Sequence, residues 1–219
     1  MKTALIIGST GLVGAALLQN LLNNKAYEKV ICFNRATTNI QHPKYSEVIV
    51  DFEQPETYQN SIIGDDFFCT IGTTISKAGS KEAFKKVDFE YPKQFATLAS
   101  KNGINHFLLI SSLGADSDSN NFYLKTKGEI EDFLKTTAFK RVSILRPSLL
   151  LGDRNEFRFG EKIGGFLMKT FSFLFLGKLK IYKPIQSTTV AKALEQIAQK
   201  ETSGFQIYNS DKIEEITHS

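Results

Sequence analysis

Residues Leu5-Ile6-Ile7-Gly8-Ser9-Thr10-Gly11-Leu12-Val13-Gly14 set an apolar run directly against three glycines spaced three apart. A strand that ends at Gly8, turns through Ser9 and Thr10 and opens a helix at Gly11 aims bare backbone N–H groups at one point. The dipole of that helix adds partial positive charge there, so the turn suits a pyrophosphate. Gly8 permits the tight turn, Gly11 lets backbone approach the phosphates, and Gly14 lets the helix pack on the sheet. A flexible turn alone would not need the helical spacing that follows in Leu12, Ala15, Ala16, Leu18, Leu21 and Leu22.

Outward from this turn, apolar runs alternate with helical patterns. Strands are expected at Thr3–Ile7, Lys29–Asn34, Ser46–Val50, Asp66–Thr70, His106–Ile110 and Arg141–Leu145. Helices are expected at Leu12–Asn23, Ser80–Asn102 and Tyr123–Thr136, with Ser80 as a cap and Asn102-Gly103 as a stop. Such alternation implies right-handed crossovers and a doubly wound parallel sheet. A further helix is expected at Val190–Lys200 and a late edge strand at Phe205–Tyr208. Between them, residues from about 148 to 186 carry clustered glycines and little regular pattern. They read as a small C-terminal substrate lobe on one domain spanning 1–219, since ligands bind beyond the carboxyl ends of such strands.

Bulk properties narrow the classes. The 219 residues carry 42% hydrophobic and 23% charged side chains and a net charge of +4. The lysines are scattered, so a nucleic-acid surface is not expected. Cys32 and Cys69 fall in predicted strands and read as buried thiols, not as a disulfide framework. The Ile163–Gly177 run is shorter than the roughly 20 residues of a membrane span, and Lys169 interrupts it. It reads as a pocket wall or a subunit contact. A strand almost at the N-terminus leads to the expectation of a cytoplasmic protein. No histidine or cysteine cluster has metal-ligand spacing, so no metal site is expected. His106 reads as a cap or packing group, and Arg154 and Arg158 as a solvated face that could also meet an anionic substrate.

Two constellations add chemistry to the glycine turn. The second strand ends Phe33-Asn34-Arg35, without the acid that would hold the ribose hydroxyls of NAD. Arg35 suits a 2′-phosphate, which favours NADP as cofactor. Asp51-Phe52 could border the adenine, although Asp51 could equally cap a helix. Further on, Ser111-Ser112 ends a strand, and Tyr123 and Lys127 stand four apart on one helical face. A phenol that ordinarily titrates near ~10 needs help to exchange protons at neutral pH. A lysine ammonium and a positive nicotinamide ring supply it by stabilising the phenolate. A serine hydroxyl at the strand end can orient the oxygen of a carbonyl or alcohol substrate.

On these residues the chain resembles the short-chain dehydrogenase/reductases, with the glycine spacing of their extended and atypical groups. The resemblance is closest to the Tat-interacting-protein-like oxidoreductases of the atypical group. It runs through Cys69-Thr-Ile-Gly-Thr-Thr74, Lys77-Ala-Gly79, Val87-Asp88, His106 to Asp116, Tyr123-Leu-Lys-Thr-Lys-Gly-Glu129 and Arg146 to Arg154. It implies a Rossmann-type fold and an NADPH site built from Gly8, Ser9, Thr10, Gly11, Leu12, Val13 and Arg35, with Asp51 and Phe52 at the adenine. It places Thr70, Ile71, Gly72 and Thr73 along the cofactor, and Pro147, Ser148 and Leu149 beside the nicotinamide. Tyr123 and Lys127 carry over as catalytic and cofactor-contacting residues. Alignment on the strand end favours Ser112 as the catalytic serine, with Ser111 at the cofactor. Many relatives carry an asparagine in the fourth helix where this chain has Asp88, so a proton relay through that position is not expected.

The resulting expectation is an NADP(H)-dependent oxidoreductase acting on a small carbonyl or alcohol, as a monomer or homodimer. An NADPH-responsive regulatory protein is the alternative. A nucleotide-sugar epimerase or dehydratase fits less well, because the short C-terminal lobe leaves little room for such a ligand.

Overall fold

In the computed structural model, which describes residues 1–152 and 177–218, β1 (Lys2–Ile7) is covered on both faces. Ala4 and Ile6 enter one apolar cluster, Leu5 and Ile7 another, and all four are fully buried. A strand buried on both sides needs no polar alternation, which is why it reads as an unbroken apolar run.

The chain continues through α1 (Leu12–Asn23), β2 (Tyr27–Asn34), β3 (Tyr45–Ile49), β4 (Asp66–Cys69), α2 (Ile75–Ala78), α3 (Lys81–Lys85) and α4 (Tyr91–Lys101). Then follow β5 (His106–Ile110), α5 (Phe122–Lys135), β6 (Arg141–Arg146), β7 (Leu150–Leu151), β8 (Ile185–Gln186), α6 (Ser187–Gln199), β9 (Gly204–Asn209) and α7 (Ser210–His218). Among the described residues, seven strands form one sheet in the order β3-β2-β1-β4-β5-β6-β9. Every neighbouring pair is parallel. Leu17 and Leu21 of α1 and Val190, Leu194 and Ile197 of α6 cover one face. Phe95 and Ala99 of α4 and Ile130 and Leu134 of α5 cover the other. This is the doubly wound Rossmann-type architecture. Its strand order reverses between β1 and β4, which opens a crevice beyond their carboxyl ends.

The helix expected over Ser80–Asn102 is present in three parts. Ser80 Oγ accepts from Ala83 N at 3.1 Å, as a cap should, and Gly103 stops the far end with φ +79°. Between α3 and α4, Lys86–Glu90 widens into a π-turn. Pro92, at the start of α4, has no N–H to donate to the carbonyl four residues back, at Asp88. The missing bond makes the wider turn tolerable there, and it turns Asp88 inward, 1% exposed.

The expected late helix begins earlier, at Ser187, and the edge strand is β9, paired with β6. The charged segment after it folds as α7, with Ile213 and Ile216 buried, a helix the sequence reading passed over. Of the expected substrate lobe, the structure describes the β7–β8 pair and a 3-10 turn at Gly177–Tyr182. Arg154, Arg158 and the apolar run from Ile163 to residue 176 lie outside the described residues. No helix of the described residues is long and apolar enough to cross a membrane.

At the amino ends of the strands, opposite the crevice, Asp66 is fully buried among basic and polar groups. Tyr27 Oη donates to it at 2.7 Å, and Lys2 Nζ, Arg141 Nη2 and His106 Nδ1 lie 3.1, 3.3 and 3.4 Å from its oxygens. His106, expected to cap or pack, is fully buried here, with Ser143 Oγ 2.9 Å from its other nitrogen.

Candidate functional site at the carboxyl ends of the strands

The glycine turn is built as its spacing requires. Gly8 has φ +84°, and a Cβ there would come within 2.6 Å of Ile71 N. At Gly14 a Cβ would meet Gly8 O at 2.0 Å, so α1 rests directly on the turn. Gly11 precedes the first helical residue and donates its N–H back to Gly8 O at 2.9 Å. The N–H groups of the following turn have no intrahelical partners and sit at the positive end of the helix.

This turn forms one wall of a cavity of about 660 Å³, within the range of small-molecule sites. Gly8, Thr10, Gly11, Leu12 and Val13 line that wall, and Thr70, Ile71, Gly72 and Thr73 line the opposite one. Arg35 and Phe52 stand at one end, Ser111, Tyr123 and Lys127 at the other. One cavity therefore joins a glycine turn at a helix N-terminus, a guanidinium, and a phenol with a buried ammonium. An elongated anionic group such as a dinucleotide fits that donor set.

At the β2 end, Asn34 turns away from the solvent. Its Oδ1 accepts from buried Ser9 Oγ at 2.7 Å, and its Nδ2 donates to Tyr45 Oη at 3.3 Å. Arg35 is exposed at the rim, followed by Ala36, Thr37 and Thr38, which also line the cavity. Glu47 fixes this loop by accepting from Thr38 N, Thr38 Oγ1 and Tyr45 Oη. Close by, Phe52 meets Tyr91 edge to face with centroids 4.8 Å apart, and Tyr91 donates to Glu53 at 2.5 Å. Burial and then the Glu53 carboxylate push the Tyr91 phenol up to about 12.

At the other end, Asn121 caps α5 by accepting from the N–H groups of Tyr123 and Leu124. This sets Tyr123 in the first turn, with its ring 5.6 Å from that of buried Phe84. One turn on, Lys127 is buried, with Nζ 2.7 Å from Asp88 Oδ1. Burial alone would lower the Lys127 pKa, but the charges of Asp88 and then Tyr123 outweigh it and hold the ammonium above its ordinary value. Another turn on, buried Glu131 accepts from Ser111 Oγ and is clasped by Arg146, with Nη2 2.5 Å from Oε2. Ser111 lines the cavity, yet its proton is committed to Glu131. The Ser112 hydroxyl has only a 3.4 Å contact to Leu113 O.

Several expected residues stand apart from the cavity wall. Asp51 is exposed, and its carboxylate accepts from Glu53 N and Gln54 Nε2 without capping a helix, since Gln54 holds the N-cap position of the next one. Ser9 is inside the fold, held to Asn34. Pro147, Ser148 and Leu149 are drawn toward other partners: Leu113 N donates to Pro147 O, Ser148 N to Ser210 Oγ, and Ile185 N to Leu149 O. Leu150 of β7 lines the cavity in their place. Ser112 is half-buried beside the wall. Sequence reasoning passed over Tyr91, Thr37 and Thr38, gave Lys77 no role at the site, and noted Asp88 only as a departure from the family's asparagine. The hydroxyls following Arg35 offered a readable pattern, whereas Tyr91 and Asp88 depend on the π-turn. Among the described residues no cluster of His, Cys, Asp or Glu could hold a metal, and both cysteines are buried and unbridged.

The fold and this site define a nucleotide-binding class, and the chain belongs to the NAD(P)H-binding family, whose model matches residues 8–169. It is 39% identical over 164 residues to Protein HTATIP2 of Rattus norvegicus, covering 73% of this chain and 67% of that one. It is 31% identical over 214 residues to the mitochondrial protein FMP52 of Candida albicans, covering 91% and 89%. Among solved structures it resembles the Bordetella bronchiseptica enzyme WbmH in complex with NAD+, with a TM-score of 0.69. That likeness covers 96% of this chain and 76% of the other at 17% identity, and it concerns the fold. The expectation of a cytoplasmic protein is overturned by these comparisons, because the FMP52 relatives are named mitochondrial.

Proposed function

We propose that this protein is an NADPH-dependent reductase of small carbonyl compounds, with Tyr123 as its acid/base. The observation that carries this reading is the single cavity holding the glycine turn, Arg35, Tyr123 and Lys127 together. Arg35 takes the 2′-phosphate, since Asn34 is tied to Ser9 and presents no acid to ribose hydroxyls. The Phe52–Tyr91 pair offers an apolar edge to the adenine. Gly11, Leu12 and Val13 hold the pyrophosphate by backbone N–H groups.

When bound, the reduced nicotinamide supplies a hydride to the substrate carbonyl carbon. Tyr123 Oη donates a proton to the carbonyl oxygen, and the Lys127 ammonium stabilises the negative charge left on the phenol oxygen. Ser112 holds the substrate oxygen, because its hydroxyl is uncommitted whereas that of Ser111 is spent on Glu131. Ser111, Glu131 and Arg146 keep the end of β5 in place.

The test is a panel of aldehydes and ketones followed by NADPH consumption, with wild type beside Tyr123→Phe. Turnover that depends on Tyr123 is expected. NADPH binding without turnover on any carbonyl, or turnover unchanged in the variant, would overturn the reading in favour of a cofactor-responsive regulator.

A further inference from the structure

We propose that Asp88 is a positioning residue, holding Lys127 as a cation aimed into the cavity while pinning the Gly72–Thr73 wall beside it. The proposal rests on the reading above, in which Lys127 serves Tyr123 and the bound cofactor.

The geometry uses both carboxylate oxygens on different walls. Oδ1 lies 2.7 Å from Lys127 Nζ on α5, and Oδ2 accepts from Thr73 N at 2.8 Å in the loop after β4. The carboxylate is 1% exposed and the lysine side chain 7%, so water cannot replace either partner. Gly72 leaves the space for this approach: a Cβ there would stand 3.3 Å from Asp88 Oδ1 and 3.8 Å from Lys127 Nζ. The π-turn brings the carboxylate to this point. The ammonium thus pairs with Asp88 on one side and lines the cavity on the other.

An asparagine would have the same size but the wrong donors. Its amide oxygen could accept from Thr73 or from Lys127, and its NH2 would then face the remaining donor. The charge matters as well. Lys127 faces Asp88 from the π-turn, Tyr123 from its own helix and Cys69 from β4. Burial pushes the Cys69 thiol up to about 12, so it is neutral over the working range. With Asp88 neutralised, only Tyr123 is left as the main counterweight to burial, and a desolvated lysine gives up its proton more readily.

The sign of the pH effect follows. In wild type the ammonium persists until pH rises above the ordinary lysine range. In Asp88→Asn it is lost as pH rises through a lowered value, and contacts to an anionic cofactor are lost with it.

The experiment titrates isotope-labelled lysines by NMR, with the signal of Lys127 assigned by its absence in Lys127→Met. In wild type that signal should stay constant to about pH 10, and in Asp88→Asn its midpoint should fall by about two units, a 100-fold loss in proton affinity. NADPH fluorescence then reads binding. The variant should bind within about three-fold of wild type near pH ~6 and progressively more weakly as pH rises through its own Lys127 midpoint. A wild-type Lys127 titrating below about pH 9 would overturn the proposal even if the variant did not fold. A variant midpoint equal to wild type, or an NADPH loss independent of pH, would overturn it too. Failure of wild type to bind NADPH would sink the cofactor reading and leave the Lys127 titration standing as a separate result.

Discussion

Two buried carboxylates sit at opposite ends of the same sheet and are treated differently. Asp66, at the amino ends, is closed in by Tyr27, Lys2, Arg141 and His106, which come from β1, β2, β5 and β6. Asp88, at the carboxyl ends, holds one lysine and one backbone N–H and faces a cavity. At the first end the carboxylate is enclosed by four groups of the protein. At the second, Lys127 pairs with Asp88 and lines the cavity together with Tyr123. Partners drawn from four strands mark the end that locks the sheet together, and an ion pair facing a cavity marks the end that meets a ligand.

The comparison is most sharply tested by what each end loses. Tyr123→Phe should lower turnover on any carbonyl found by about 10²- to 10⁴-fold, with an unchanged melting temperature. Asp66→Ala should do the reverse, because it strands Lys2, Arg141 and Tyr27 around an empty position. A loss of about 3–5 kcal/mol in urea denaturation is expected, with NADPH affinity of the folded fraction retained. A drop in affinity without loss of stability would break the contrast between the ends.

Arg35→Ala should weaken NADPH about ten- to hundred-fold, the worth of charge-assisted hydrogen bonds to a phosphate, and leave NADH nearly unchanged in a fluorescence titration. Equal losses would show that Arg35 does not read the 2′-phosphate. The smallest effect is the acid response of the Asp66 end. Burial lowers the His106 pKa despite the opposing pull of Asp66. Burial of Asp66 is outweighed by hydrogen bonds from His106 and Tyr27 and by the charge of Lys2, so its pKa is also lowered. For both groups the unfolded chain binds more protons in acid. Stability should therefore be complete above about pH 6.5, decline as His106 protonates, and decline again below about pH 4 as Asp66 does. Each step should cost at most about 1.4 kcal/mol per pH unit. Urea melts of His106→Asn over that range should lack the first step, and the second should shrink because Asp66 loses the hydrogen bond from His106.

Much of this was legible along the chain. The glycine turn, the alternation of strands and helices and the Tyr123–Lys127 spacing are local patterns, and local backbone physics reads them directly. Ser80 and Asn102-Gly103 marked a helix correctly at both ends, yet not the π-turn inside it. That turn depends on Pro92 withholding one hydrogen bond and on Lys127, far along the chain, meeting the Asp88 carboxylate. The ambiguity between Ser111 and Ser112 was equally nonlocal, because Glu131 and Arg146 decide which hydroxyl is spent. Asp51 could be read two ways along the chain, and in the fold its oxygens accept from Glu53 and Gln54 in a local turn.

By itself, then, the sequence determined the fold class, the phosphate cradle and the residues able to exchange a proton, because each rests on spacing within one strand, turn or helix. The tertiary structure alone decided which of those side chains face the cavity and which are tied into the protein. Those choices turn on buried hydrogen bonds and ion pairs between distant elements, and a buried polar group takes its role from whichever partner folding brings to it.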